Sequence, residues 1–220
     1  MILDNFDAII FDLDGTLVDS MWLWKDIDIE YLSRFGIAYN EKLQSEIEGK
    51  SFTETAIYFK ENFGITDTIE KIKNDWNEMA YLKYKEQVSL KTGALEFLKL
   101  LKEKGKKLGI ATSNSTQLTE VCLNSLNISS LFDVVITGSD IKTGKPAPDI
   151  YLENAKRLKV LPERCLVFED IPVGIMAGKN AGMKTCAVAD EYSRDLTDEK
   201  LELSDYSIID YKDFINKYIN

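Results

Sequence analysis

The chain has 220 residues, 45% of them hydrophobic and 29% charged, with a formal net charge of −10 at pH 7. That is the composition of a globular protein large enough for one domain, or for a domain with an insert. It argues against nucleic acid or an anionic membrane surface as partner, because phosphate-rich surfaces are met by an excess of lysine and arginine.

The opening stretch "MILDNFDAII" carries acidic residues where a signal peptide would be basic and then apolar. No apolar run approaches membrane length, so a cytoplasmic protein is expected. Cys122, Cys165 and Cys186 show no CxxC spacing, and the chain has no histidine. Buried thiols are therefore expected rather than a zinc site or a disulfide framework.

The first apolar, β-branched run is "AIIFDLD" (8–14), read as a strand that ends in two carboxylates. Side chains alternate along a strand, so Asp12 and Asp14 point to one side and Leu13 to the other. Gly15 lets the chain turn at once and bring its amides close to an anion, with Thr16 beside it.

About seventy residues then follow with helical periodicity and no convincing strand. Trp24, Ile27, Tyr31 and Phe35 recur at helical spacing, Ser51 with Glu54 reads as a capping box, and "IEKIKNDWNEMAYLKYKEQ" reads as a long helix. A segment of that length inside a βα unit is an inserted helical domain rather than a loop. Trp24 lies on the core stripe and is expected to pack inside the insert. Trp22 lies off that stripe and is the candidate for a ring facing a ligand.

From residue 94 the chain alternates between helices and strands. "TGALEFLKLLKEKG" is a helix stopped at Gly105, followed by strands at "KLGIATS" (107–113), "DVVITG" (133–138), "CLVFED" (165–170), "KTCAVA" (184–189) and "YSIID" (206–210). This alternation predicts an α/β fold, a Rossmann-like parallel sheet with an inserted helical cap. The expected division is a core of residues 1–16 and 88–220 and a cap of residues 17–87.

Ligands of such sheets bind beyond the carboxyl ends of the strands, and four strand ends supply matching chemistry. Asp12 and Asp14 close the first. Thr112, Ser113 and Asn114 close the second, with free amides expected at the helix start that follows. Lys145 stands in "TGKPAPDIY", and Glu169 and Asp170 close "LVFED" just ahead of Gly174.

In that order, "DLDGT", the strand ending at Thr112, "GKPAPDIY" and "FEDIPVGIMAGKNAGM" resemble the haloacid dehalogenase-like phosphohydrolases, over nearly the whole chain. The resemblance is to the capped branch that includes β-phosphoglucomutases and phosphoglycolate phosphatases. It implies that Asp12 is a nucleophile and Asp14 a general acid and base. It further implies that Thr112 contacts the phosphoryl group, Lys145 balances charge, and Mg²⁺ is held by Asp12, Asp14, Glu169 and Asp170. Gly15, Thr16, Ser113, Asn114, Lys50 and Trp22 are the candidate substrate-binding residues.

The implied reaction is Mg²⁺-dependent hydrolysis of a small-molecule phosphate ester through a phosphoaspartate. A sugar-phosphate mutase is the alternative, and a phospho-signalling module is a third reading from another class. The oligomeric state is left open, a monomer included. Three positions depart from the mutase-like pattern: Trp24 stands at the place of a histidine, Phe52 at that of an arginine, and Ile171 at that of a hydroxyl residue. Lys50, two residues before Phe52, could replace part of the missing charge.

Overall fold

The computed structural model describes residues 2–47 and 50–219. Its elements begin with β1 (Ala8–Phe11), β2 (Val18–Asp19), α1 (Met21–Ser33), α2 (Leu43–Ile47), α3 (Phe52–Phe63), α4 (Ile69–Glu86), β3 (Ser89–Leu90) and α5 (Ala94–Glu103). They continue with β4 (Lys107–Ala111), α6 (Thr116–Ser125), β5 (Val134–Ile136), α7 (Asp149–Leu158) and β6 (Cys165–Glu169). The last are α8 (Pro172–Asn180), β7 (Lys184–Val188), α9 (Thr197–Leu203), β8 (Tyr206–Ile208) and α10 (Tyr211–Tyr218).

All six expected strands form, each shortened at its carboxyl end, and they assemble into one sheet in the order β5-β4-β1-β6-β7-β8. Every neighbouring pair is parallel. A parallel sheet covered on both faces needs strands that are apolar throughout, and β1 and β6 are buried at every position. Ile9 and Phe11 enter one core cluster with Phe97, Phe168 and Phe214, while Ala8 and Ile10 enter a second with Tyr151 and Val167. The fold is α/β and Rossmann-like. The chain builds outward from β1 to β4 and β5, then crosses back to β6 on the other side of β1.

Register aligns the strand ends. Phe11 stands level with Ile110 on one side and Phe168 on the other, so Asp12, Thr112, Glu169 and Asp170 emerge along one edge.

Between β2 and β3 run α1 to α4. The capping box at Ser51 forms, its side chain accepting from the Glu54 amide and the Glu54 carboxylate accepting from the Ser51 amide. Ile27, Tyr31, Phe59 and Trp76 join the same apolar cluster as Phe97 and Phe168, and α4 packs against α6. A short antiparallel pair, Val18–Leu90 and Asp19–Ser89, ties the exit of this segment to its return. Two-residue strands have no periodicity to read, which is why the sequence did not disclose them. Phe35, expected on the core stripe, lies beyond the end of α1 and is exposed.

All three cysteines are buried and free. Among the described residues, no helix is long and apolar enough to cross a membrane.

Candidate active site

The turn after β1 makes the floor of the site. Gly15 adopts φ +78°, and a Cβ there would stand 2.4 Å from Oδ2 of Asp170. Glycine is thus required both by conformation and by space. Thr16 follows with its hydroxyl donating to Oδ1 of Asp170 at 2.8 Å. That contact occupies a fully buried group, so Thr16 orients a carboxylate and does not line the open cavity. Gly15 does not line it either.

Asp12, Glu169 and Asp170 bring carboxylate oxygens within 4.8 Å of one another. Lys145 reaches into the cluster from the loop before α7, with Nζ 2.7 Å from Oδ1 of Asp12, 2.5 Å from Oε1 of Glu169 and 3.2 Å from the carbonyl of Ala111. Tyr151, on the first turn of α7, donates to Oε1 of Glu169 at 2.5 Å. Gly174 leaves the room this requires, since a Cβ there would lie 2.1 Å from the Glu169 carboxyl carbon.

Burial would lower the ammonium of Lys145, but Asp12 and Glu169 outweigh it and hold the group charged. Burial pushes Glu169 up, with Asp12 adding to it, even though Lys145 touches it. Asp170 is raised well above the usual carboxylate range by burial, Asp12 and Glu169. Adjacent carboxylates at this spacing repel by roughly 4 kcal/mol at an effective dielectric near 20. One lysine therefore leaves the cluster under-neutralised, and three buried hard-oxygen donors fit a divalent cation such as Mg²⁺.

Asp14 stands apart from this cluster. It accepts from Ser20 Oγ at 2.6 Å, from Asn114 Nδ2 at 3.0 Å and from the hydroxyl of Tyr84. The carboxylates grouped at the sheet edge are Asp12, Glu169 and Asp170, with the Asp14 side chain outside them. Burial raises the Asp14 carboxyl above its ordinary value, against the lowering by Ser20, Tyr84 and Asn114. The paired aspartates thus sit in different environments, one salt-bridged and one held toward protonation.

Thr112, Ser113 and Asn114 line the cavity at the end of β4. The amides expected to be free there are partly taken. Asn114 N donates to Thr112 Oγ1, Ser115 N to Asn114 Oδ1, and Leu118 N to Ser115 Oγ. The loop uses its own side chains to cap the helix start.

The cavity, of about 170 Å³, is closed by residues from the helical segment: Met21, Trp24 and Asp28 of α1, Phe52 and Thr55 of α3, and Trp76 of α4, with Ile47 and Lys50. Trp24 packs against the apolar cluster as expected, and it also lines the cavity with its ring edge-on to Phe52 and Tyr84, each 6.0 Å away between centroids. Trp22, the candidate for a ligand-facing ring, is absent from the lining. Its indole donates to the carbonyl of Asp19 and its ring lies under Lys83 Nζ. Helix α1 carries two apolar faces, Leu23–Ile27–Tyr31 inward and Met21–Trp24–Asp28 on the cavity, and periodicity does not distinguish a core from a pocket wall. Lys50 and Ile171 line the cavity as well.

Four residues of the site were not singled out in the sequence. Ser20 and Tyr84 hold Asp14, and nothing local marks them. Tyr151 lies within "GKPAPDIY", where the motif itself was the available signal. Asp28 could have been found as a carboxylate flanked by Ile27 and Ile29 on an apolar helix.

The fold is shared with proteins of known class. Residues 9–188 match the family described as Haloacid dehalogenase-like hydrolase. A "Phosphorylated carbohydrates phosphatase" of Thermotoga maritima is 34% identical over 81% of this chain and 82% of its own. A "(DL)-glycerol-3-phosphatase 2" of Arabidopsis thaliana is 33% identical over 83% of this chain and 79% of its own. The fold matches that of CbbY from Rhodobacter sphaeroides, solved in complex with phosphate, with a TM-score of 0.85 at 24% identity over 95% of this chain and 96% of that one. The chain belongs to the haloacid dehalogenase-like hydrolases, and it is an enzyme of that family.

Proposed function

We propose that this enzyme is a Mg²⁺-dependent phosphatase that hydrolyses a small phosphate monoester through a phosphoaspartate on Asp12, in the cytoplasm. The observation carrying the reading is the pairing of two unlike aspartates, Asp12 bound by Lys145 and Asp14 half-buried with a raised pKa. The phosphatase names of the Thermotoga and Arabidopsis relatives support a small phosphate ester as substrate.

Asp12, Glu169 and Asp170 would hold Mg²⁺, which when bound supplies positive charge to the phosphoryl oxygens. Oδ1 of Asp12 is fixed by Lys145, and Oδ2, free of hydrogen bonds, attacks phosphorus as an ionised oxygen that needs no base. As the ester P–O bond breaks, the Asp14 proton passes to the leaving oxygen. Asp14, now a carboxylate steadied by Ser20, Tyr84 and Asn114, then takes a proton from water attacking the acyl phosphate. The Asp12–phosphorus bond breaks, inorganic phosphate leaves, and both aspartates return to their starting states. Thr112 is positioned to contact the phosphoryl oxygens.

Residues 17–87 act as a cap, joined to the core at the Val18–Asp19 and Ser89–Leu90 pair. Trp24 and Phe52 stand in the cavity wall where a histidine and an arginine would grip a second phosphate, and Lys50 replaces only part of that charge, which favours transfer to water over transfer to a sugar.

The test is phosphate release from p-nitrophenyl phosphate and from a panel of small phosphate esters, with Mg²⁺ and after metal stripping. Turnover should require Mg²⁺ and end in inorganic phosphate. Undiminished turnover in excess EDTA would sink the metal assignment, and faster isomerisation than hydrolysis of β-glucose 1-phosphate would replace the phosphatase with a mutase.

A further inference from the structure

The carboxylates at the sheet edge all have partners. Asp12 is bound by Lys145, Asp14 by Ser20, Tyr84 and Asn114, Glu169 by Lys145 and Tyr151, and Asp170 by Thr16. Asp28, in the same cavity, has none. It is 6% exposed and makes no hydrogen bond or ion pair with any of the described residues. Leaving an ionised carboxylate buried without a partner is costly, and burial alone pushes Asp28 up to about 7.

The cavity wall that holds Asp28 is rich in aromatic rings, and Lys50, which lines the same wall, makes no ion pair with it. Trp24 lies one helical turn before it on the same face of α1. Trp24 meets Phe52 edge-on at 6.0 Å, and Phe52 meets Trp76 edge-on at 5.5 Å. The rings form a continuous wall beside one unpaired negative charge. Aromatic faces attract cations through their quadrupoles, most strongly when desolvated, and ammonium groups are bound by such walls. A neutral ligand end would leave the carboxylate uncompensated. A positively charged end would satisfy both the rings and Asp28.

We propose that the natural substrate is a small phosphate monoester that carries an amine or quaternary ammonium group, bound with its cationic end among Trp24, Phe52, Trp76 and Asp28 and its phosphate at Asp12. This deepens the phosphatase reading and rests on it for the position of the phosphate.

The experiment compares kcat/KM at pH 8 for choline phosphate, 2-aminoethyl phosphate, glycerol 3-phosphate and 3,3-dimethylbutyl phosphate, the last a neutral isostere of choline phosphate. The cationic esters should exceed the neutral ones by about tenfold or more, mainly through KM. In Asp28→Asn, the ratio of choline phosphate to its isostere should fall toward one. Equal or better hydrolysis of the isostere or of glycerol 3-phosphate by wild type would overturn the proposal, as would an unchanged ratio in Asp28→Asn. Binding of tetramethylammonium to the wild-type enzyme, measured by calorimetry, tests the cation site without any chemistry. Binding weakened about tenfold by Asp28→Asn supports it, and no binding to wild type contradicts it. Failure to release phosphate even from p-nitrophenyl phosphate, with tetramethylammonium still bound, would count against the hydrolase reading and not against the cation site.

Discussion

The two walls of the cavity are built on opposite terms. The sheet edge is polar, and each of its buried carboxylates has a hydrogen-bonding partner within the fold, although one lysine leaves their charge under-neutralised: Lys145 bridges Asp12 and Glu169, and Thr16 holds Asp170. The helical wall is aromatic and leaves its one buried carboxylate, Asp28, unanswered. A closed network fixes atoms for a reaction that is the same for any ester, whereas an open valence is what a variable ligand can fill. The difference assigns the proposed chemistry to one wall and the proposed choice of substrate to the other.

The largest effects should come from the polar wall. Replacing Asp12 by Asn removes the proposed nucleophile, and turnover on every ester should fall by at least about 10⁴-fold. Replacing Asp14 by Asn should cost roughly 10²–10⁴-fold, the contribution of a positioned acid and base. Both losses should be independent of the substrate's distal group, as steady-state rates on a cationic and a neutral ester would reveal. A strong dependence on that group would break the division between the walls.

The aromatic wall should respond in stability. The folded protein holds a proton on Asp28 up to about pH 7, while the unfolded chain releases it near 3.8. Stability therefore falls as pH rises through that window, and the cost persists above it. Asp28→Asn removes the titration, so at pH 8 the variant should be more stable than wild type, by up to about 4 kcal/mol for roughly three pH units. Urea unfolding at pH 5 and pH 8 measures it. An equal loss between the two pH values in both proteins would mean that Asp28 is already paired.

The smallest effect expected is at Tyr84, where the two walls meet. Tyr84→Phe removes a hydroxyl that donates to Asp14 and lowers its pKa. The cost should be about 1 kcal/mol, roughly fivefold in rate. The alkaline limb of the pH–rate profile, where Asp14 loses its proton, should move upward. A downward movement would mean that Tyr84 stabilises the protonated form.

The two walls also differ in how far they could be read from the sequence. Along the sheet edge, the chemical groups other than Lys145 lie at the end of a strand or within three residues of it, so "DLDGT" and "VFED" carry both the strand and its cargo. Parallel register then does the assembly, aligning Phe11 with Ile110 and Phe168. The helical wall depends on how α1 is rotated, and Trp24, besides packing as expected, reaches the cavity in place of Trp22. Tyr84 reaches Asp14 across 70 residues of chain, a contact that only tertiary packing creates. The hydrogen-bond partners of Asp14 were not legible for the same reason, since Ser20, Tyr84 and Asn114 come from three separate parts of the chain.

The most direct test is to look for the covalent intermediate. Wild type, Asp12→Asn and Asp14→Asn would each be mixed with radiolabelled acetyl phosphate and Mg²⁺, quenched in acid within milliseconds, and assayed for label bound to protein. The account predicts label on wild type, label that persists longer on Asp14→Asn because water attack has lost its base, and none on Asp12→Asn. Label retained on Asp12→Asn would contradict it, since the phosphoryl group would then be carried by another residue.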